Sequence, residues 1–322
     1  MHEFNLIEEY FTWVDTPEDV AIAVGDDATV LDIPKNKQLV TSIDTLISGV
    51  HFPENTKPFS IGYKALAVNL SDIAAMGATP KWFTLALTLP EIDTVWLEGF
   101  SAGLKTIAKQ YGCFLVGGDT TRGPLSISIQ VLGLVDTNQA LLRSGAKLGD
   151  KIYVTGTLGD AAVGLKNIQG VVSLSSKDSD YCQQRLNQPM PRLIESNVIK
   201  HFASSCIDVS DGLLQDLSHI LKASKVGAML DESLLPLSSA LKNMKRESAN
   251  DYASDGGDDY ELLFTIPIDK EHQFLEAIHN IKSAKTTCIG IITKYKDQSE
   301  QQIVNKTGLV LTSTGYNHFH VE

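Results

Sequence analysis

Gly117-Gly118-Asp119-Thr120-Thr121-Arg122-Gly123-Pro124 follows an apolar run, Cys113 to Val116, and precedes a long alternation, Leu125 to Val135. An apolar run, a glycine-rich junction and a period-two run read as strand, turn and strand. Two glycines permit positive φ and close approach of the backbone to a ligand, and a carboxylate follows them directly. That grouping suits a metal-bridged phosphate. It also suits a plain Gly-Gly-Asp turn, and the junction by itself leaves both readings open. The site reading gains from similar acidic stretches that recur at predicted strand and helix ends.

Toward the N-terminus, Val95 to Tyr111 has helical spacing, and Lys81 to Leu89 is a strand closed by Pro90. A further helix is expected from Ser60, as its cap, through Met76, stopping at Gly77 with Pro80 beyond. Asn69 and Asp72 are three apart and share one face of it. A carboxylate in so apolar a helix is either a polar-face residue or a site group, and the crowding by small residues favours the site, since a buried aspartate needs a partner such as a metal. Leu39 to Ile43 is a short predicted strand that ends in Ser42-Ile43-Asp44-Thr45, where side chains reach a cleft. His51 falls in the loop Ser48 to Pro58, and a lone loop histidine is ordinarily solvated. Gly25-Asp26-Asp27 leads into an alternating strand, Ala28 to Ile33, so the two carboxylates point to opposite sides. Residues 4 to 14 carry Phe4, Ile7, Tyr10 or Phe11, and Val14 at helical spacing.

Toward the C-terminus, the polar residues 138–150, with Gly145, Gly149 and Arg143 as a phosphate contact, read as a connection between domains at 1–137 and 151–322. Strand Lys151 to Thr155, Gly156-Thr157-Leu158-Gly159-Asp160 and a helix follow, without either phosphate-loop spacing, so the turn reads as structural. Strand Cys206 to Val209 runs into Asp208-Val209-Ser210-Asp211-Gly212 before helix Leu213 to Ser224. Carboxylates are favourable at a helix N-terminus, and a metal-bound phosphate can dock there. Capping by Asp211 is the structural alternative. Asp255-Gly256-Gly257-Asp258-Asp259-Tyr260-Glu261 precedes strand Leu262 to Ile266, and Asp269 is expected to cap the next helix. Tyr316, after Gly315, is either a packing anchor or a ring over a ligand.

The 322 residues suffice for two ordinary domains, and 43% apolar with 20% charged residues is a globular composition. A formal charge of −12 without a basic stripe excludes nucleic acid as a partner. Divalent cations would still let an acidic pocket hold an anionic nucleotide, through the oxygen ligands that magnesium prefers. No apolar run reaches the length of a membrane span, and the first residues lack a signal pattern, so a cytoplasmic chain is expected. Cys113, Cys182, Cys206 and Cys288 form no C-x-x-C pair and read as buried thiols. No nucleophile elbow, Ser-His-Asp arrangement or zinc spacing competes with the acidic points at Asp27, Asp44, Asp72, Asp119, Asp208 and Asp211. Carboxylates with glycine turns point to magnesium-assisted phosphoryl transfer.

The same residues carry a resemblance. Gly25-Asp26-Asp27-Ala28, Asp44-Thr45-Leu46, Gly49-Val50-His51-Phe52, Lys64 to Asp72, Gly117 to Pro124, Arg143-Ser144-Gly145-Ala146, Val154 to Thr157, Asp208 to Gly212 and Gly257 to Leu262 stand in the order of one family over nearly the whole chain. The sequence resembles the thiamine-monophosphate kinases, of the superfamily that includes aminoimidazole ribonucleotide synthetase and selenophosphate synthetase. The resemblance implies ATP-dependent phosphorylation of thiamine monophosphate to thiamine diphosphate by direct in-line transfer, the last step in making that cofactor. It implies an α/β (α+β type) fold of two domains similar to aminoimidazole ribonucleotide synthetase. The N-terminal sheet would pair with its partner's in a homodimer, with ATP near that interface. Several magnesium ions would be held by Asp27, Ser42, Asp44, Asp72, Asp119, Asp208 and Asp211. Gly118, Asp119, Arg143 and Ser210 match ATP contacts, and His51, Asp258 and Tyr316 match positions that hold thiamine monophosphate. Asp119, Asp208, Asp211 and Arg143 would act directly on the transfer. Ile43 departs from a common threonine and Asp258 from the usual glutamate. The alternatives are a sister ATP-using enzyme of the superfamily, a magnesium-dependent phosphohydrolase and a regulator that binds Mg-nucleotide without turnover.

Overall fold

One turn of α-helix, α1 (Glu3–Leu6), opens the chain and widens into a π-turn over Ile7–Phe11 in this computed structural model, which describes residues 3–13, 17–24, 27–281, 284–294 and 303–313. The predicted helix over 4–14 is therefore shorter, and the wider turn buries the adjacent rings of Tyr10 and Phe11 together. The chain divides into two compact units, Met1–Ile73 with Ala78–Ala140, and Ala74–Gly77 with Leu141–Glu322.

In the first unit, β1 (Val20–Ile22) and β2 (Val30–Leu31) form a small antiparallel pair. The alternation over 28–33 shrinks to β2 because β1 offers so short a partner. The main sheet contains β3 (Lys37–Ile47), β4 (Thr79–Leu89), β5 (Phe114–Arg122) and β6 (Ser126–Asp136), in the order β3-β6-β4-β5. Two predicted ends move. β3 runs past Ile43 because β6 pairs with it from Lys37↔Asp136 to Ile47↔Ser126, so Asp44 lies within the strand. The Gly117-Gly118-Asp119 stretch is no turn: β5 continues through it, parallel to β4, as far as Leu89↔Arg122. Close approach decides Gly118, since a Cβ there would sit 2.0 Å from the Leu85 carbonyl oxygen.

Helices α2 (Pro58–Ala75) and α3 (Thr94–Tyr111) cover one face of this sheet. Pro58, not Ser60, opens α2, since proline at the first helical position forfeits only an amide that would be unpaired there. Asp93 caps α3 by accepting from Val95 and Trp96 amides at 2.9 and 3.1 Å. The two helices touch backbone to backbone: a Cβ on Gly103 would lie 1.9 Å from the Phe59 carbonyl oxygen. Leu66, Leu70, Phe100, Leu104, Ile127, Ile129 and Val131 are fully buried beneath. The other face is open at β3, where Leu39, Ile43 and Ile47 are 43%, 63% and 42% exposed.

The second unit is built on β7 (Lys151–Thr155), β8 (Ser205–Asp208), β9 (Gly227–Leu230), β10 (Leu262–Ile266), β11 (Thr286–Thr293), β12 (Ile303–Asn305) and β13 (Val310–Leu311), in the order β13-β12-β9-β11-β7-β10-β8. Strand alternation divides its core. Ile152, Val154 and Leu263 join the cluster with Val163, Leu213, Leu217 and Ala253, from α4 (Asp160–Ile168), α7 (Leu213–Ser224) and α9 (Arg246–Asp255). On the other face, Tyr153 stacks on Phe264 with centroids 5.8 Å apart, and Phe274 meets Tyr153 edge-on at 5.4 Å. Phe274 belongs to α10 (Glu271–His279); α5 (Ser176–Asn187), α6 (Leu193–Ile199) and α8 (Ser239–Lys242) complete the unit. Lys270, not Asp269, precedes α10 at its cap position and makes no side-chain cap. Cys113, Cys182 and Cys206 are buried thiols, while Cys288 is only half-buried.

Candidate active site

In the first unit, period-two geometry sends Ser42 and Asp44 of β3 toward α2 and leaves Ile43 on the open face. The Ser42 hydroxyl donates to Asp72 Oδ2 on α2 at 2.5 Å. Burial, and then the neighbouring Asp72 charge, push the Asp44 carboxyl up to about 6. Asn69, on the same face of α2, donates to the Ala65 carbonyl at 3.0 Å, and its Oδ1 is buried without a hydrogen-bond partner. Two crowded carboxylates beside a hydroxyl form a hard-oxygen donor set whose repulsion a divalent cation would relieve. The Ile43 departure therefore falls on the opposite face from Ser42 and Asp44.

Asp119 lies elsewhere. By strand register it shares the row Thr45, Ser128, Ala86, Asp119, whereas Asp44 shares its row with Ile129, Leu85 and Gly118. Asp119 is thus exposed on the open face, and alternation separates it from Asp44 and Asp72. Asp27 is exposed ahead of β2. Among the described residues, no group of three or more His, Cys, Asp or Glu side chains is close enough to hold a metal ion. Arg122 donates from Nε to the Pro90 carbonyl at 3.2 Å, which ties the end of β5 to the end of β4.

His51 sits in the turn after β3. Its Nδ1 accepts the Ile47 amide at 3.0 Å, which leaves Nε2 to carry the proton of the neutral ring. Its carbonyl accepts from Lys64 Nζ at 3.1 Å. Lys64, on α2, is only 2% exposed, and sequence reasoning assigned it no role. A lysine in an otherwise apolar helical run was the available signal.

In the second unit, β8 delivers Asp208, which is buried, to the segment before α7. Asp211 does not cap α7: Gly212 holds the cap position with φ 124°, and Asp211 Oδ2 instead accepts from Gln215 Nε2 at 3.1 Å. The missed residue is Asp216, whose Oδ2 accepts the Ser210, Asp211 and Gly212 amides at 3.0, 3.1 and 3.2 Å. Its place in the first turn of α7 was visible in the sequence, but the inward fold of three amides was not. Arg143 is exposed, and the loop behind it is fixed where the Gly145 and Ala146 amides both donate to Ser224 Oγ at 3.1 Å. Burial, and then the Arg143 charge, lower the pKa of His219 on α7, against the opposing pull of Asp211. Asp258 is half-buried, donates its amide to the Ser210 carbonyl at 2.8 Å and accepts from Tyr260 OH at 3.0 Å. Tyr316 lies outside the described residues.

These features define a class, the AIR synthase related proteins: that family's N-terminal domain matches residues 25–135 and its C-terminal domain residues 147–298. The thiamine-monophosphate kinase of Escherichia coli K12 is 46% identical over 322 residues, covering 98% of each chain. A solved thiamine-monophosphate kinase from Stenotrophomonas maltophilia K279a is 44% identical, with TM-score 0.83, covering 91% of this chain and 93% of that one. AaThiL, solved complexed with AMPPCP and TMP, is 31% identical with TM-score 0.78 and covers 89% of each chain. The chain belongs to the thiamine-monophosphate kinase family. No helix among the described residues is long and apolar enough to cross a membrane.

Proposed function

We propose that this chain transfers the terminal phosphoryl group of ATP to a phosphate oxygen of thiamine monophosphate, giving thiamine diphosphate and ADP. The observation that carries the reading is the 46% identity to a thiamine-monophosphate kinase along 98% of the chain. The related AaThiL, complexed with AMPPCP and TMP, supports a site for both reactants. One P–O bond to the transferred phosphorus breaks and one forms, in line, and ADP carries away the bonding electrons. The accepting phosphate oxygen is already largely ionised at neutral pH, so positioning and charge, rather than a strong base, carry the rate.

Asp44, Asp72 and Ser42 form the donor set best suited to magnesium, with Asp27, Asp119, Asp208 and Asp211 as the further proposed ligands. Magnesium bound there would offset the phosphate charge that develops during transfer. Gly118, Asp119, Arg143 and Ser210 are proposed to hold ATP, and Asp119, Asp208, Asp211 and Arg143 to act closest to the reacting phosphate. His51 would donate through Nε2 to the thiamine monophosphate phosphate, with Asp258 and Tyr316 as the other substrate contacts. Asp258 is shorter than the family's glutamate and would reach through water. A homodimer through the first sheet is supported by β3, an eleven-residue edge strand whose Leu39, Ile43 and Ile47 are exposed.

The deciding assay follows ADP and thiamine diphosphate with ATP and magnesium, with and without thiamine monophosphate. ADP release that ignores the acceptor, or absence of thiamine diphosphate, refutes the kinase reading.

A further inference from the structure

Residues 257–261 alternate between hidden and open. Asp259 and Glu261 are 1% and 0% exposed, whereas Asp258 and Tyr260 are half-buried. Asp258 and Tyr260 both have left-handed backbone, φ 67° and 50°. Non-glycine residues persist in that region only where their surroundings over-determine them.

The surroundings are unusual in kind. The Glu261 carboxylate accepts from Arg192 Nε at 2.6 Å and Nη2 at 2.5 Å, from Arg185 Nη2 at 2.7 Å and from Thr155 Oγ1 at 2.6 Å. Asp259 Oδ2 accepts the Gly159 amide at 2.7 Å, and its carbonyl accepts from Arg185 Nη2 at 3.2 Å. Beside these anchors, the Asp258 and Tyr260 amides donate to the Ser210 and Val209 carbonyls, both at 2.8 Å. The segment is thereby held in register with Asp208-Val209-Ser210-Asp211. Asp259 Oδ1 and Asp160 Oδ1 are both buried without a hydrogen-bond partner. Burial, and in smaller part the Asp160 charge, raise the Asp259 pKa well above the usual carboxylate range, against the opposing Gly159 amide and Arg185 charge.

We infer that Asp259 and Glu261 are positioning residues for the acceptor substrate: they anchor alternate residues inward and thereby hold Asp258 outward beside Ser210. The inference rests on the reading of Asp258 as a contact to thiamine monophosphate. A buried charge network that served stability alone would affect both substrates equally or neither.

The test measures kcat, KM for thiamine monophosphate, KM for ATP and thermal melting in Asp259→Ala, Asp259→Asn, Thr155→Val and Asp258→Ala. Asp259→Ala should raise the KM for thiamine monophosphate about tenfold or more, with the KM for ATP held within about twofold. Asp259→Asn should stay within about threefold of wild type, because its amide oxygen still accepts the Gly159 amide. Thr155→Val keeps the side-chain shape and removes one Glu261 donor together with the acceptor of the Leu262 amide next to it, so it should shift the same KM in the same direction. A folded Asp259→Ala with unchanged acceptor KM, a parallel rise in both KM values, or an Asn variant no better than Ala overturns the inference. If Asp259→Ala does not fold, an unchanged acceptor KM in Thr155→Val overturns it. Asp258→Ala separates the two ideas. An unchanged acceptor KM there removes the substrate contact and this inference with it, whereas a raised one beside a silent Asp259→Ala removes the anchor alone.

Discussion

Gly117 and Gly118 are neighbours in sequence and should respond oppositely to alanine. A Cβ on Gly118 would lie 2.0 Å from the Leu85 carbonyl oxygen and 2.9 Å from its carbon. Both are backbone atoms of a strand hydrogen-bonded on each side, since β4 pairs with β5 and with β6. Relief requires parting two strands by about an ångström, which belongs at the upper end of overpacking costs, about 3 kcal/mol or more. At Gly117 the nearest atom is Thr84 Cγ2 at 3.8 Å, an ordinary contact. Alanine there should be neutral or stabilise by about 0.5 kcal/mol, through the reduced freedom of the unfolded chain. For units of this size about 3 kcal/mol corresponds to a melting shift on the order of 6–12 °C. Thermal melting of both variants, followed by far-ultraviolet circular dichroism, checks this. AMPPCP binding then shows whether Gly118→Ala also loses the nucleotide. Equal melting temperatures for the two variants, or a Gly117→Ala variant the less stable, would refute the close-approach argument.

Asp119→Asn is nearly isosteric and should lower turnover well over tenfold, on the order of the loss when a charged transition-state contact is removed; wild-type turnover would take Asp119 out of the site. Asp44→Asn relieves the repulsion with Asp72, so it should melt no lower than wild type in chelator while losing the magnesium-dependent rise in melting temperature. A magnesium response equal to wild type's would exclude Asp44 as a ligand. Glu261→Gln removes the carboxylate that two buried guanidinium groups share, leaving Arg192 only Glu195 at 3.9 Å, and should cost about 3–5 kcal/mol near neutrality. Burial alone would raise the Glu261 pKa, but Arg192 and then Arg185 outweigh it and hold it below the ordinary 4.5. A depressed folded value stabilises above the unfolded pKa and loses that contribution as pH falls through the folded one. The melting gap between wild type and Glu261→Gln should therefore be full above pH 4.5 and close only below it. A gap that narrows between pH 7 and pH 5 would contradict this sign.

Much of the fold was legible where pattern and partner agree. Helix Leu213–Ser224 and strands Lys151–Thr155 and Leu262–Ile266 fall at their predicted bounds, because the helix buries its apolar face and the strands are buried along nearly their whole length. Ends failed where a distant partner settles the matter. β3 continues through Asp44 because β6, far along the chain, supplies a hydrogen-bonding edge for all eleven residues. In the site, the carboxylates beside glycine turns and strand ends announced themselves by type and place, whereas Asp216 and Lys64, inside helices, did not. Their roles depend on three amides folded toward one carboxylate and on a carbonyl brought over a buried ammonium.

By itself the sequence determined the chemistry on offer: hard oxygen donors, glycines beside them, no zinc or nucleophile pattern, and an order of motifs shared with one family. Tertiary structure decided what Gly117 to Pro124 is. Local propensity favours a turn wherever two glycines precede an aspartate, yet a neighbouring strand with unpaired amides and carbonyls outweighs that preference. Drawn into β5, Gly118 serves the close approach to Leu85, and strand alternation sends Asp119 to the open face, away from Asp44 and Asp72. A face is a property of register, and register is set by pairing between strands that the linear order of residues does not place together.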